Sequence, residues 1–348
     1  MTDKTMPAGP TLSRRMATAG LLSLALPLHA CASSTTSGSG AGMAGAPTIA
    51  GRPLVHSGAK MAVEMTPIHI ALQRLYGGAS PVLNGGVVSL VGDDRPADVA
   101  SNGETQNLRY SVEEPRMRIL MTIAEGHYPV LARRSAGITE LADLKGKRIL
   151  SYNHTTACYF LHKMLKSAGL TMADVTLVQT PLGDTGKVVA NLEVDAIAIW
   201  EPDSEQALWA LRDMGEDVTI FDGEGIYHER YDLVSTADQL ADPVKREAIM
   251  RYMRAVIDAT QAIKSDPAVA AQTQRMVSPS GGLYTVEEIA LCWPNVKFVA
   301  NIDAGLLDVL EEQDQWLAAL EARRPRTRGQ LAQLIDRSLW DEAMALAG

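Results

Sequence analysis

Between residues 147 and 221 short apolar runs alternate with segments of helical period, and this alternation restricts the fold more than any other feature of the chain. Residues 147–152 predict a strand. Ala157, Phe160, Leu161, Met164, Leu165 and Ala168 then recur at helical spacing, and Gly169 supplies the stop. Residues 175–178 predict a strand, and 184–192 a short helix with Asp184 as N-cap. A strand over 195–200, a helix over 202–211 and a strand over 218–221 complete the set. Strand and helix alternating in this way predict an α/β architecture, a mainly parallel sheet covered on both faces.

The preceding stretch repeats the theme. Residues 60–65 predict a strand, followed by Thr66-Pro67 as an N-cap with proline at the first helical position. Residues 87–91 predict a second strand, 97–100 the end of a third and 118–123 a fourth. From about 243 onward the pattern is helical almost without interruption. Two α/β lobes are expected, with a helical C-terminal part returning to the first.

The N-terminus reads differently. Ser13-Arg14-Arg15 precedes a short apolar run over 19–26, and Leu28-His29-Ala30-Cys31 follows. A charged segment, an apolar segment too short to span a bilayer and a small residue before the cut describe an export signal. The paired arginines point to the twin-arginine route, although Ala17 stands where an apolar residue is usual. Leu28 to Cys31 is similar to a lipoprotein box, in which Cys31 is the lipidated first residue; His29 is unusual there, and simple cleavage competes. Residues 32–50, rich in Ser, Thr, Gly and Ala, form a flexible tether.

About 300 residues remain, enough for two lobes. A net charge of -9 argues against nucleic acid as a partner. Aromatic residues are 5% of the chain, too few for a carbohydrate cleft built from many rings. Beyond Cys31 only Cys158 and Cys292 remain, each in an apolar helical stretch where buried thiols are the usual outcome. The chain carries no G-x-x-x-x-G-K-[ST], H-E-x-x-H, G-x-S-x-G or C-x-x-C motif, and its histidines lack metal-ligand spacing. No cofactor or metal is expected, and the weight moves from catalysis toward binding.

Polar residues gather where strands should hand over to helices. Asn153, His154, Thr155 and Thr156 stand before the helix that begins near Ala157. The first turn of a helix leaves N–H groups unpaired and carries partial positive charge, so these four side chains could hold the anionic end of a small ligand there. Ser101, Asn102 and Glu104 follow the strand ending at Ala100, Met65 and Thr66 follow the first strand, and Trp200 and Glu201 end a strand in the second lobe. Tyr227 lies where the chain would cross back. Each patch also has a purely structural reading: Thr66 and Thr155 as caps, Glu104 and Glu201 as first-turn carboxylates, Trp200 as core. Their shared position at strand ends favours one cleft. Glu64, Glu104, Asp184 and Glu201 could instead flank an ammonium or an aminopyrimidine, and which way Glu64 points is open.

The runs "ITELADLKGKRIL", "DVTLVQ" and "VDAIAIWEPDSEQAL" resemble the substrate-binding proteins of nitrate/sulfonate/taurine-type ABC importers, a family that also includes pyrimidine-precursor binding proteins. The similarity runs from about 97 to 265. It implies a two-lobed type II periplasmic-binding-protein fold, with lobe I over 51–132, lobe II over 133–222 and a return crossing and helical lobe I part over 223–348. It implies crossings near 128–133 and 222–233 and hinge closure on a ligand. Carried over, Asn153 to Thr156 match an anion cradle, Ser101 and Asn102 a lobe I loop, and Trp200 and Glu201 a pocket wall. Many relatives have a Gly-Ser or Gly-Thr pair where Asn153-His154 stand, and the opening at 65–69 lacks the usual polar, aromatic-containing form. His154, neutral at a helix N-terminus, would donate to a ligand oxygen. The implied activity is non-enzymatic: a monomeric periplasmic receptor delivering a small polar, anionic solute to an ABC permease and its ATPase. Alternatives are an aminopyrimidine-precursor binder, an enzyme-like relative on the same fold, and a ligand-sensing scaffold. Arg323, Arg324, Arg326 and Arg328 read as a solvated loop, with permease or lipid contact as the other option.

Overall fold

The computed structural model describes residues 45–60, 62–181, 185–263, 268–269 and 290–346. The export signal, Cys31, most of the tether and Asp184 lie outside the described residues.

The strands are β1 (Thr48–Ile49), β2 (Arg52–Pro53), β3 (His56–Gly58), β4 (Val82–Asn84), β5 (Val99–Gly103), β6 (Met117–Gly126) and β7 (Val130–Arg133). They continue with β8 (Arg148–Leu150), β9 (Thr176–Val178), β10 (Ala196–Ala198), β11 (Val218–Phe221), β12 (Glu229–Thr236) and β13 (Val296–Asn301). The helices that matter for the site are α1 (Thr66–Tyr76), α2 (Glu104–Tyr110), α3 (Thr156–Ser167), α4 (Thr185–Ala190), α5 (Asp203–Asp213), α6 (Ala237–Ala241), α7 (Pro243–Ile263) and α8 (Leu306–Leu320).

Two sheets carry the structure. A six-stranded sheet has the order β13-β6-β12-β5-β3-β4, a five-stranded sheet the order β11-β7-β10-β8-β9, and β1 and β2 form a small ribbon. Each large sheet packs between two apolar clusters. Leu120, Ile249 and Tyr252 belong to one face of the first sheet, and Leu108, Val234 and Leu317 to the other. Phe160, Leu161 and Met164 of α3 cover one face of the second, and Ile197, Ile199 and Leu208 the other. The chain leaves the first sheet after Gly126, enters the second at Val130, and returns between Phe221 and Glu229.

The second sheet follows the sequence pattern closely. α3 starts at Thr156 with Thr155 as N-cap and ends before Gly169, whose φ of 73° needs glycine. The strand directions are mixed, however. β7 runs antiparallel to both β10 and β11, while β8, β9 and β10 are parallel. In the first sheet β12 runs antiparallel to β5 and β6, and β13 antiparallel to β6. These are the strands that follow a crossing or close an edge, where no βαβ unit dictates direction.

Four expectations for the first sheet are corrected. The strand placed at 60–65 is β3, upstream at His56–Gly58, and Val63–Met65 is a 3₁₀ turn. β3 escaped notice because it is polar: His56 is wholly buried, its Nε2 3.0 Å from Ser101 Oγ and its Nδ1 2.9 Å from Tyr252 Oη. Thr66 does not cap α1; Met65 is the N-cap, and the Thr66 hydroxyl donates to the Val63 carbonyl at 2.7 Å. The run at 87–91 is a 3₁₀ turn over Gly86–Leu90. Gly85 precedes it at a φ of 131° and Gly86 opens it at 65°, and Val87 and Leu90 are buried while Val88 is exposed, a period of three instead of two. Finally, the helical C-terminal part is interrupted by β13, which pairs with β6.

The basic cluster is also not a free loop. Arg323 and Arg326 both bind the fully buried Asp314 at 2.8 Å, and Arg326 Nη1 donates to Ser111 Oγ at 2.8 Å. Arg328 pairs with Asp308 and Glu311.

Candidate functional site

A cavity of about 600 Å³ opens between residues carried by the two sheets. From the first sheet come Lys60, Glu64, Asn102, Gly103, Gln106, Arg109, Tyr110, Glu229 and Tyr231; from the second come Thr155, Thr156, Trp200, Glu201 and Asp203, with Tyr128 on the outgoing crossing.

Five of the expected residues meet there: Asn102, Thr155, Thr156, Trp200 and Glu201. Asn102 holds the wall in place, its Oδ1 accepting from the Val87 amide at 2.7 Å. It lies inside β5, not after it, as does Ser101. Trp200 packs on Tyr152 with ring centroids 5.3 Å apart. Thr155 caps α3 by accepting from the Cys158 amide, while its hydroxyl donates to the Tyr152 carbonyl at 2.5 Å. Thr156 donates to Glu229 Oε1 at 2.7 Å across the cavity.

The other seven are not part of the lining. Asn153 is exposed, and His154, at a φ of 59°, offers its carbonyl to Gln106 Nε2 at 3.0 Å while its Nδ1 lies 3.9 Å from Glu321. Met65 is buried, 3.2 Å from the Ser101 hydroxyl, which also sits 3.2 Å from Tyr231 Oη. Glu104 and Tyr227 form a buried brace behind the cavity. The Tyr227 hydroxyl donates to Glu104 Oε1, Gln313 Nε2 of α8 donates to the same oxygen at 2.6 Å, and the Arg230 amide donates to Oε2 at 2.8 Å. Burial raises the Glu104 carboxyl above its ordinary pKa. The brace ties α2, the return crossing and α8 together.

Glu229 and the aromatic pair Tyr128 and Tyr231 were not anticipated. Glu229 and Tyr231 lie in β12, which no helical or turn motif marks, and only the antiparallel insertion of that strand beside β5 brings them to Asn102 and Gly103. Glu64 was named as a possible cation contact, and the 3₁₀ turn points it inward.

Three buried carboxyl groups thus face the cavity: Glu64 at 2% exposure, Glu201 at 0% and Glu229 at 6%. Glu201 accepts from Asn295 Nδ2 at 2.8 Å and from the Glu205 amide at 3.2 Å. Glu64 accepts from Tyr128 Oη at 3.3 Å. Burial pushes Glu64 up to about 7, and the charge of Glu201 adds to it; burial likewise pushes Glu201 up to about 7. Glu229 lies well above the carboxylate range, through burial first and then Glu64, Glu104 and Asp232. No cluster among the described residues has the makings of a metal site.

The sequence profile described as "NMT1/THI5 like" matches residues 87–270, more than half of the chain. The chain belongs to the NMT1/THI5-like family. Comparison with curated protein sequences gave no match. Among solved structures the chain is similar to the alkanesulfonate-binding protein SsuA from Xanthomonas axonopodis pv. citri, bound to MOPS, with a TM-score of 0.64 and 17% identity over 82% of this chain and 98% of that one. It is similar to the periplasmic nitrate-binding protein NrtA from Synechocystis PCC 6803, with a TM-score of 0.63 and 16% identity over 84% and 88%. The desulfurization enzyme DSZB has the same fold, with a TM-score of 0.58 and 15% identity over 84% and 99%. At these identities the likeness is one of fold: a type II periplasmic-binding-protein architecture, hosting both binding proteins and an enzyme.

Proposed function

We propose that this chain is an extracytoplasmic solute-binding protein that captures a small polar organic solute in the cavity between its sheets and delivers it to an ABC permease driven by its ATPase. One observation carries the reading: a single cavity receives Asn102, Gly103 and Glu229 from one sheet and Thr156, Trp200 and Glu201 from the other, with the chain crossing between the sheets twice. Closing the sheets on a solute about those crossings would remove it from water. Solved relatives of this fold that bind sulfonate or nitrate support the same role.

The N-terminal signal supports export, and lipidation of Cys31 would keep the receptor at the membrane. Cys31→Ser should release it in soluble form from washed membranes; a variant that still sediments with them argues against the anchor. Among the described residues neither Cys158 nor Cys292, both buried, lines the cavity. A thermal-shift screen of the full chain against small sulfonates, nitrate, carboxylates, amines and aminopyrimidines tests the binding role. A ligand at a hundredfold excess over Kd stabilises by about 2.7 kcal/mol. A hit that disappears in Trp200→Ala supports it; a panel in which nothing raises the melting temperature overturns it.

A further inference from the structure

We infer that the solute taken by this cavity is an organic cation, an ammonium or amidinium group seated between Glu229 and Glu64 with its body against Trp200 and Tyr231. The inference rests on the binding role proposed above and names the chemistry of that same site.

The carboxyl groups come from three separate places: the 3₁₀ turn before α1, the connection between β10 and α5, and the first residue of β12. Their internal partners are few. Glu64 receives the Tyr128 hydroxyl on Oε1 beside a hydrogen bond from its own backbone, and Glu229 receives the Thr156 hydroxyl on Oε1, so among the described residues no hydrogen bond reaches the second oxygen of Glu229. A carboxylate has about four acceptor positions, so Glu229 keeps capacity for a ligand donor on the cavity side. No lysine or arginine is among the groups acting on Glu64, Glu201 or Glu229. Two nine-tenths-buried carboxyl groups therefore face one cavity, and once ionised the open oxygen of Glu229 accepts from a ligand donor.

The cations of the lining do not offset this. Arg109 pairs with Glu321 at 3.3 Å. Lys60 is half-buried at residue 60 of the first-sheet wall, where it would suit an anionic tail of a zwitterion. The features that an anion would need have other duties: Asn153 is exposed, and the Thr155 hydroxyl is committed to Tyr152. A ring or alkyl body fits the rest, because Trp200, Tyr231 and Tyr128 line the cavity with aromatic rings, which attract a cation and supply apolar surface. In the unliganded protein burial, with Glu201, Glu104 and Asp232 as the acidic groups acting beside it, raises Glu64 and Glu229 and favours their protonated forms. Seating a cation ionises a carboxyl group: its proton passes to solvent, and a carboxylate–ammonium pair forms in its place.

Isothermal titration of the full chain with benzamidine and phenethylamine, set against benzenesulfonate, taurine and nitrate, tests this. The expected result is binding of the amines, release of protons read from buffers of different ionisation enthalpy, and affinity about tenfold weaker at pH 5.5 than at 7.5 as protons compete. Glu229→Gln and Glu64→Gln should each weaken it at least about tenfold, with unliganded melting temperatures not lowered; having both variants keeps the test valid if one fails to fold. Anion binding without amine binding overturns this inference and leaves the receptor role standing, as does amine binding indifferent to both substitutions. Binding by neither class overturns both.

Discussion

Glu64→Gln should make the unliganded protein more stable at pH 8, and the gain should vanish in acid. The side chain is 2% exposed and its carboxyl pKa is pushed up to about 7 from an unfolded value of 4.5, by burial first and then by Glu201. A folded pKa above the unfolded one means that the native state holds a proton the unfolded chain has released. The stability contribution of Glu64 is therefore fully present below about 4.5 and lost as the pH rises through about 7. A shift of that size corresponds to roughly 3 kcal/mol, at 1.36 kcal/mol for each unit. Glutamine is nearly isosteric, keeps an oxygen for the Tyr128 hydroxyl and does not titrate. Urea unfolding of wild type and variant, followed by circular dichroism at pH 4.5, 6 and 8, measures the difference. His56, lowered to about 3 by burial, runs the other way, its contribution present above 6.5 and lost as the pH falls. It is common to both proteins and cancels in the difference. The variant should match wild type near pH 4.5 and exceed it by about 3 kcal/mol at pH 8. Curves that stay parallel across the range would refute the claim that Glu64 is buried and protonated.

Thr155→Ala should cost about 1 kcal/mol of stability through the lost cap and leave ligand affinity nearly unchanged; Thr156→Ala, which removes the contact to Glu229, should lower affinity with little effect on melting. Equal loss of stability in both would show that the pair is only structural. Gly103→Ala places a methyl group against the Glu229 carboxyl and the Thr156 methyl, at an ordinary φ of -61°, so the damage is steric and local. Calorimetry should find binding abolished, and unaltered affinity would contradict the position assigned to Glu229. Asp314→Ala leaves Arg323 and Arg326 without their buried partner and should destabilise by about 3–5 kcal/mol in urea unfolding. A loss below about 1 kcal/mol would return the arginine cluster to the role of a solvated loop.

The second sheet was legible in the sequence because its elements are local. The apolar period of α3, the cap at Thr155 and the stop at Gly169 each depend on neighbours within one helix, and all three stand where the periodicity puts them. The first sheet was less legible because its opening strand is built from His56, Ser57 and Gly58, polar or small residues that hydropathy assigns to a surface. They are buried because Ser101, Ser89 and Tyr252, distant in the chain, satisfy them. The same holds in the site. Trp200, Glu201 and Asn102 lie beside motifs and were expected at a cleft, and they line the cavity, whereas Glu229 and Tyr231 carry no local signal.

From the sequence alone came the α/β class, the two-lobed organisation and the neighbourhood of the cleft, all properties of patterns within a few turns of chain. Only the tertiary structure decided which side chains line the cavity. An isolated helix N-terminus at 153–156 favours an anion, yet folding turns Asn153 outward, commits the Thr155 hydroxyl to a carbonyl and brings three carboxyl groups in from distant elements. Charges far apart in the sequence interact appreciably only where folding brings them together in space, burial then strengthens the interaction, and no local pattern records that.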